Sequence, residues 1–279
     1  MEGTVILIGP TSGLAQSLIP VLKREYKVIT AGRSEADFKL DLCSLPSCIK
    51  FFNEASLVIN CASDFGYLNN DQIINEVNIN SPSKLYKNCL KSGVSHFIHI
   101  SSMAASFKPS SPLYTRYSKS KLKSEELLLD NENAGLTSLT IFRPSQLYGS
   151  KIGQLKHRSF LRVAFEKVSI GEPLPIYGNK DALRNYLSFD NFSEIILKAC
   201  LKKVSGRITC TAKDDSCFSD IAKKVCDSLA SNHNFFFQRN KEDLIDVVAP
   251  YPYEFYESIS YHPKDDMDKI FNKIAKIYK

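Results

Sequence analysis

VILIGPTSGLAQSL, from Val5 to Leu18, decides how the chain folds. Val5, Ile6, Leu7 and Ile8 are four apolar β-formers in succession, the pattern of a strand covered on both faces, and Leu14, Leu18 and Ile19 then take up helical spacing. Glycine at 9 lets the chain reverse without a Cβ clash. Glycine at 13 lets backbone N–H groups at the helix N-terminus close on a pyrophosphate, where the helix dipole favours negative charge. Thr11, Ser12 and Leu14 belong to the same cradle. Ala15 stands where a third glycine would allow close helix-strand packing, so the spacing is Gly-x-x-x-Gly-x-Ala rather than Gly-x-Gly-x-x-Gly. An ordinary strand-turn-helix corner fits this stretch as well as a dinucleotide site does.

Working outward, Lys27 to Ala31 reads as a second strand ending in Gly32, Arg33 and Ser34. In a dinucleotide fold a carboxylate at this strand end would bind a ribose 2′-hydroxyl, whereas an arginine suits a 2′-phosphate, so Arg33 points to NADP(H) rather than NAD(H), with a solvated surface arginine after the turn as the alternative. A short strand near Phe38 to Leu40 leads to Asp41 and Leu42, placed for an adenine, with a turn or capping role for Asp41 equally open. Leu57 to Cys61 is the next buried strand, and Cys61, Ala62 and Ser63 are small enough for a cofactor to lie against its end. Asn78 begins or precedes a helix that stops at Gly93, and Phe97 to Ile100 forms a fifth strand closed by Ser101 and Ser102. His99 reads as a core or supporting histidine. The alternation of strand and helix predicts an α/β, Rossmann-type, doubly wound parallel sheet.

Tyr117 and Lys121 open the next helical segment, four residues apart and so on one face. A cation beside a phenol favours the phenolate, which lets the tyrosine exchange a proton with a substrate oxygen near neutral pH. Leu139 to Phe142 is a sixth strand ending in Arg143, Pro144 and Ser145. The rhythm then breaks. Residues 173–178 and 183–190 read as short strands of a smaller lobe, Phe192 to Leu201 as a helix, Arg207 to Thr211 as a last strand of the main sheet, and Phe218 to Leu229 as another helix. Pro263 to Tyr278 reads as a helix capping the small lobe. The predicted division is a dinucleotide-binding domain over 1–150, rejoined by 186–212, and a substrate lobe from 151–185 and 213–279. Residues 231–261 carry aromatics without clear periodicity.

A chain of 279 residues with 43% hydrophobic content exceeds the size at which one compact core is comfortable, which fits a large domain plus a smaller lobe. The net charge of +6 is spread without a long basic run, which suits an anionic small molecule and argues against nucleic acid. Eight scattered cysteines, none in a Cys-x-x-Cys pair, indicate a reducing cytoplasm and no zinc site. No apolar run approaches the ~18 residues needed to cross a bilayer, so a cytoplasmic protein without a membrane partner is expected.

With these pieces in order, the chain resembles the extended short-chain dehydrogenase/reductase family, the NAD(P)-dependent epimerase/dehydratase group that works on nucleotide sugars. The marks are IGPTSGLA, NCAS, VNINSP with Asn78, HFIHISS, YSKSK, FRPSQLYG and GEPLPIYGNKDALRNYLSFDN. The resemblance implies Ser102 as the hydrogen-bond partner of the substrate oxygen, with Ser101 as the alternative, and Tyr117 as the proton donor or acceptor. It implies Lys121 as the holder of the nicotinamide ribose, Pro144 and Ser145 as nicotinamide lining, Arg184 as the grip on the substrate diphosphate, and Pro175 and Tyr177 beside the nucleotide base. It also implies a homodimer.

Met103 and Ala104 stand where sugar 4,6-dehydratases carry an Asp-Glu pair, which argues against a dehydratase. The expected reaction is reduction by NADPH of a nucleotide-linked keto-deoxy sugar, at C4, in activated-sugar or surface-polysaccharide biosynthesis. The alternatives are a nucleotide-sugar epimerase and a non-catalytic NADP-binding sensor or scaffold. His157 reads either as a surface residue or as a contact to the sugar. Without a cysteine at Ala104 to partner it, reduction without prior epimerisation is expected.

Overall fold

The computed structural model describes residues 2–65, 71–132, 136–151, 154, 160–232 and 235–279. In chain order, β1 (Thr4–Ile8) leads to α1 (Gly13–Leu22), β2 (Lys27–Gly32), the two-residue β3 (Phe38–Lys39) and β4 (Leu57–Asn60). A helical run follows, made of α2 (Asp71–Ile74), a π-helical stretch over Asn75–Asn80 and α3 (Ser81–Ser92). Next come β5 (His96–Ile100), α4 (Arg116–Leu129), β6 (Ser138–Pro144), β7 (Gln146–Tyr148), α5 (Phe160–Ser169), β8 (Leu174–Tyr177) and β9 (Leu183–Ser188). The remainder is α6 (Phe189–Leu201), β10 (Gly206–Cys210), β11 (Asp215–Cys217), α7 (Phe218–Leu229), β12 (Phe235–Gln238), α8 (Tyr253–Ser258) and α9 (Met267–Tyr278).

Two compact units form, one from Met1–Pro144 with Ser193–Cys210, the other from Ser145–Phe192 with Thr211–Lys279. The first holds a seven-stranded sheet in the order β10-β6-β5-β4-β1-β2-β3, every neighbouring pair parallel. This is the expected α/β Rossmann-type sheet. Its strand order reverses between β1 and β4, and in sheets of this kind ligands bind outside the carboxyl ends of the strands at that point. The central strands β4 and β5 are buried along their whole length and β1 over Val5–Ile8, which explains the unbroken apolar runs in the sequence. Its core joins Ile6, Ile8, Phe52, Val58, Leu85, Phe97 and Ile141, and Ala15 at the missing third glycine is fully buried.

The second unit holds a three-stranded sheet β11-β9-β7 and a parallel pair β12-β8. Its core gathers Phe165, Ile176, Phe218, Ile221, Ile270, Phe271 and Ile274, so α9 is a central part of this unit rather than a cap on it. Three local expectations shift. The strand expected over 183–190 stops at Ser188, whose hydroxyl accepts from the Asn191 N–H at 3.1 Å and starts α6 early. The last helix begins at Met267 rather than Pro263, its first N–H accepted by the Asp265 side chain at 3.1 Å. Asn78 sits in mid-helix, in the π-helical stretch. In the unread region 231–261, β12 pairs with β8, Val247 bridges to Arg184, and α8 buries Tyr256. All eight cysteines are free thiols, five of them buried.

Candidate active site

Gly9 ends β1 with φ +81°, and a Cβ there would stand 2.9 Å from both the Cα and the N of Ala62, just past β4. The two strand ends flanking the switch point thus approach as closely as backbone allows, and only glycine fits. Ser12 caps α1 by accepting from the Ala15 N–H at 3.2 Å, and the first turn carries no acidic side chain, so the helix N-terminus has no negative group of its own. At the end of β2, a Cβ on Gly32 would meet the Pro10 ring at 2.9 Å. Arg33 is exposed and makes no hydrogen bond or ion pair among the described residues. Asp41 caps a short helical turn by accepting from the Cys43 N–H at 3.0 Å, and Leu42 is buried beside it.

Cys61 hydrogen-bonds from its N–H to the Ile8 carbonyl at 3.0 Å, stitching β4 to β1, and burial pushes its thiol up to about 12. Asn78 uses all four of its hydrogen-bonding positions within the chain. Its oxygen accepts from the Asp64 N–H at 2.8 Å and the Ser63 hydroxyl at 3.3 Å, and its nitrogen donates to the Asp64 carbonyl at 2.7 Å and the Ser120 hydroxyl at 3.0 Å. It therefore clamps the loop after β4 against α4, one residue before Lys121.

The two serines after β5 separate cleanly. Ser101 is buried and donates to a carboxylate oxygen of Glu125 at 2.5 Å, so its proton is committed. Ser102 is half-buried and, among the described residues, only accepts, from the Ala104 N–H at 3.1 Å, which leaves its hydroxyl proton available to a ligand. Tyr117 lies in the first turn of α4, its ring stacked on Phe65 with centroids 5.1 Å apart. One turn on, Lys121 is 1% exposed, donates to the Ile100 carbonyl at 3.0 Å and places its Nζ 5.8 Å from the centre of the Tyr117 ring. Burial pulls its ammonium down to about 8, against the opposing pull of Glu125 and Cys61. His99, fully buried between the Asn60 and Ser124 side chains, is held neutral by burial and by the Lys121 charge.

Glu125 escaped the sequence reading. Its carboxylate is fully buried and grips Arg143 on β6 in two-pronged fashion, at 2.9 Å and 3.0 Å to Nε and 2.5 Å to Nη2, with Arg207 on β10 at 3.6 Å. An arginine inside a buried strand needs such a partner, and a glutamate on the Lys121 face of α4 was the available signal.

In the second unit, Arg184 donates to the Leu183 carbonyl at 2.8 Å and the Ile245 carbonyl at 2.5 Å, and its guanidinium lies 4.6 Å from the Phe218 ring centre. Among the described residues no carboxylate reaches ion-pair distance of it. Pro175 and Tyr177 lie on β8, with Tyr177 exposed. Ser145 Oγ and the Tyr186 hydroxyl are buried without a hydrogen-bond partner among the described residues. A cavity of about 230 Å³ is lined by Tyr148, Ser188, Asn191, Asp266 and others, but by none of the residues singled out from the sequence. His157 lies outside the described residues. Among the described residues no cluster of potential metal ligands occurs, and no helix is long and apolar enough to cross a membrane.

The first unit thus gathers Gly9, Thr11, Ser12, Gly13, Leu14, Arg33, Asp41, Leu42, Cys61, Ala62, Ser63 and Ser102 beyond the carboxyl ends of its strands, with Tyr117 and Lys121 on α4. A dinucleotide fits these residues: the turn at Gly9 admits no side chain, and the first turn of α1 carries no acidic side chain to repel a phosphate.

Comparison with known proteins bears on the fold and on the family. No curated protein sequence matches. Among solved structures, the UDP-N-acetylglucosamine 4-epimerase from Methanobrevibacter ruminantium M1 in complex with UDP-N-acetylmuramic acid superposes with a TM-score of 0.83 at 16% identity, covering 99% of this chain and 97% of the other. The UDP-glucuronic acid 4-epimerase from Bacillus cereus in complex with UDP-glucuronic acid and NAD gives 0.82 at 16% identity, covering 99% and 98%. The UDP-glucose 4-epimerase from Thermus thermophilus in complex with NAD gives 0.75 at 14% identity, covering 99% and 98%. Residues 5–209 match the model of the NAD dependent epimerase/dehydratase family. The chain belongs to that family.

Proposed function

We propose that the chain interconverts the C4 epimers of a UDP-linked sugar, with NAD as its cofactor. The observation that carries this reading is the trio on the first unit: Ser102 with an uncommitted hydroxyl proton, Tyr117 stacked in place, and Lys121 buried beneath it as a cation. The compared 4-epimerases, two of them holding NAD, support epimerisation over the keto-sugar reduction expected from the sequence. The nicotinamide, when bound, supplies a hydride acceptor that can also give the hydride back. Around it, Ser102 donates to the C4 oxygen and polarises it, while Tyr117 takes the hydroxyl proton from that oxygen and later returns it. Lys121 holds the nicotinamide ribose and keeps the phenolate accessible by its charge. Arg184, a half-buried cation held by carbonyls and a ring and with no ion pair among the described residues, serves the diphosphate, and Pro175 and Tyr177 serve the base. We place the enzyme in activated-sugar metabolism, as a homodimer.

A second reading, an NADPH-dependent reductase, is favoured by Arg33, which has no carboxylate partner among the described residues and stands where a 2′-phosphate would lie. One experiment separates them. The purified protein is given UDP-glucose, UDP-N-acetylglucosamine and UDP-glucuronic acid without reductant, and in parallel a 4-keto-6-deoxy nucleotide sugar with NADPH. Appearance of a C4 epimer in the first arm without net cofactor change supports the epimerase. Stoichiometric loss of NADPH in the second with no epimer in the first would replace it by the reductase.

A further inference from the structure

Lys121 faces a physical problem. An ammonium 1% exposed loses its hydration, and a hydrogen bond to the Ile100 carbonyl restores only part of it. On β5, His99 is held neutral, and past β4, Cys61 remains a thiol until about 12, so neither supplies a charge near neutral pH. On α4 itself, Tyr117 is one turn before and Glu125 one turn after. Glu125 is the buried carboxylate of the set, and β6 and β10 bring Arg143 and Arg207 against it. Those arginines, together with the Ser101 hydroxyl, fix the carboxylate in place and satisfy its oxygens.

We propose that Glu125 is a positioning residue: a charge clamped by β5, β6 and β10 that keeps the buried Lys121 an ammonium and thereby sets the pH range over which Tyr117 can exchange its proton. This rests on the reading of Lys121 and Tyr117 given above. A glutamate with only a structural role would hold the sheet to the helix without moving the titration of Lys121.

The test reads Lys121 directly. Protein labelled with ¹³C at lysine Cε is titrated by NMR, the Lys121 signal being assigned by its absence in Lys121→Met. In the wild type the midpoint should fall near 8. In Glu125→Gln it should drop by about one pH unit or more, and in Glu125→Asp, which keeps the charge, it should stay close to the wild-type value. If the protein epimerises UDP-sugars, the alkaline fall of kcat should move down with it in Glu125→Gln. A midpoint unchanged in Glu125→Gln overturns the proposal even if the enzyme is an epimerase. The expected shift in a protein without epimerase activity leaves the proposal standing and removes the functional reading instead. Should Glu125→Gln fail to fold, the wild type and Glu125→Asp decide: a wild-type midpoint well below neutrality, or one that collapses in Glu125→Asp, overturns it.

Discussion

Lys121 lies one helical turn below Tyr117, its Nζ 5.8 Å from the centre of the phenol ring and anchored to the last carbonyl of β5 at 3.0 Å. The anchor is backbone, so the cation is fixed by the sheet itself. Tyr117 is held separately, by the stack on Phe65.

Tyr117→Phe keeps that stack and loses only the hydroxyl. The variant should fold, keep whatever NAD(P) affinity the wild type has, and lose roughly 10²–10⁴-fold in turnover, the range for removing one general acid or base. Cofactor titration by fluorescence and product formation by chromatography check the two halves separately.

Lys121 also links stability to pH. Its folded-state value, about 8, lies below the ordinary 10.5. Below 8 both folded and unfolded chains carry the proton and the burial penalty is fully present. Between 8 and 10.5 the folded chain releases its proton while the unfolded chain keeps it, so stability contributed by this group rises with pH. Lys121→Met has no such proton. Denaturant unfolding across this interval should show the wild type gaining on Lys121→Met as pH climbs, with the change absent below about 7.

The sheet was legible because buried parallel strands leave unbroken apolar runs such as Leu57 to Ile59, and because the Tyr117 and Lys121 pair has helical spacing. What was not legible depends on contacts between distant segments. That the Asn78 amide bonds to Ser63, Asp64 and Ser120 has no local sequence signal. The Ser101 and Ser102 alternatives could be separated only by seeing that Glu125 takes the former. The Ile245 carbonyl that holds Arg184 comes from a segment with no periodicity of its own, pinned by Asp243 accepting from the Lys180 N–H at 3.2 Å and Asp246 from the Leu183 N–H at 2.9 Å.

Gly9→Ala combines a left-handed backbone with a collision against Ala62 backbone atoms that cannot move aside. The conformation alone costs about 1–2 kcal/mol in a non-glycine residue, and the forced separation of β1 from β4 adds about 1–3 kcal/mol. Denaturant midpoints should fall accordingly, and any folded fraction should have lost NAD binding.

Arg33 has no protein partner among the described residues, so truncating it leaves nothing unpaired. Arg33→Ala should weaken NADP(H) by up to about 2–3 kcal/mol of charge-assisted bonding and leave NAD(H) nearly untouched. Calorimetric titration of both cofactors against both proteins measures this. Equal NADP(H) affinity in the two would place Arg33 away from the 2′-phosphate.

Arg184 offers the sharpest test of the second unit. Its guanidinium is held from one side by the Leu183 and Ile245 carbonyls and lies over Phe218, an arrangement that orients the fork while neutralising none of its charge. Burial works against that charge, and an anionic ligand would relieve the conflict. A lysine retains the charge but not the planar fork, so Arg184→Lys should lose two-pronged contact with a diphosphate while still folding. The expected result is about tenfold or greater loss of UDP affinity, with UMP affinity changed far less, because the monophosphate lacks the second phosphoryl group that the fork would grip. Calorimetry with UDP and UMP on wild type and variant reads this difference, and thermal unfolding of both confirms that the loss is local. Equal losses for the two nucleotides would assign Arg184 to the base or ribose instead.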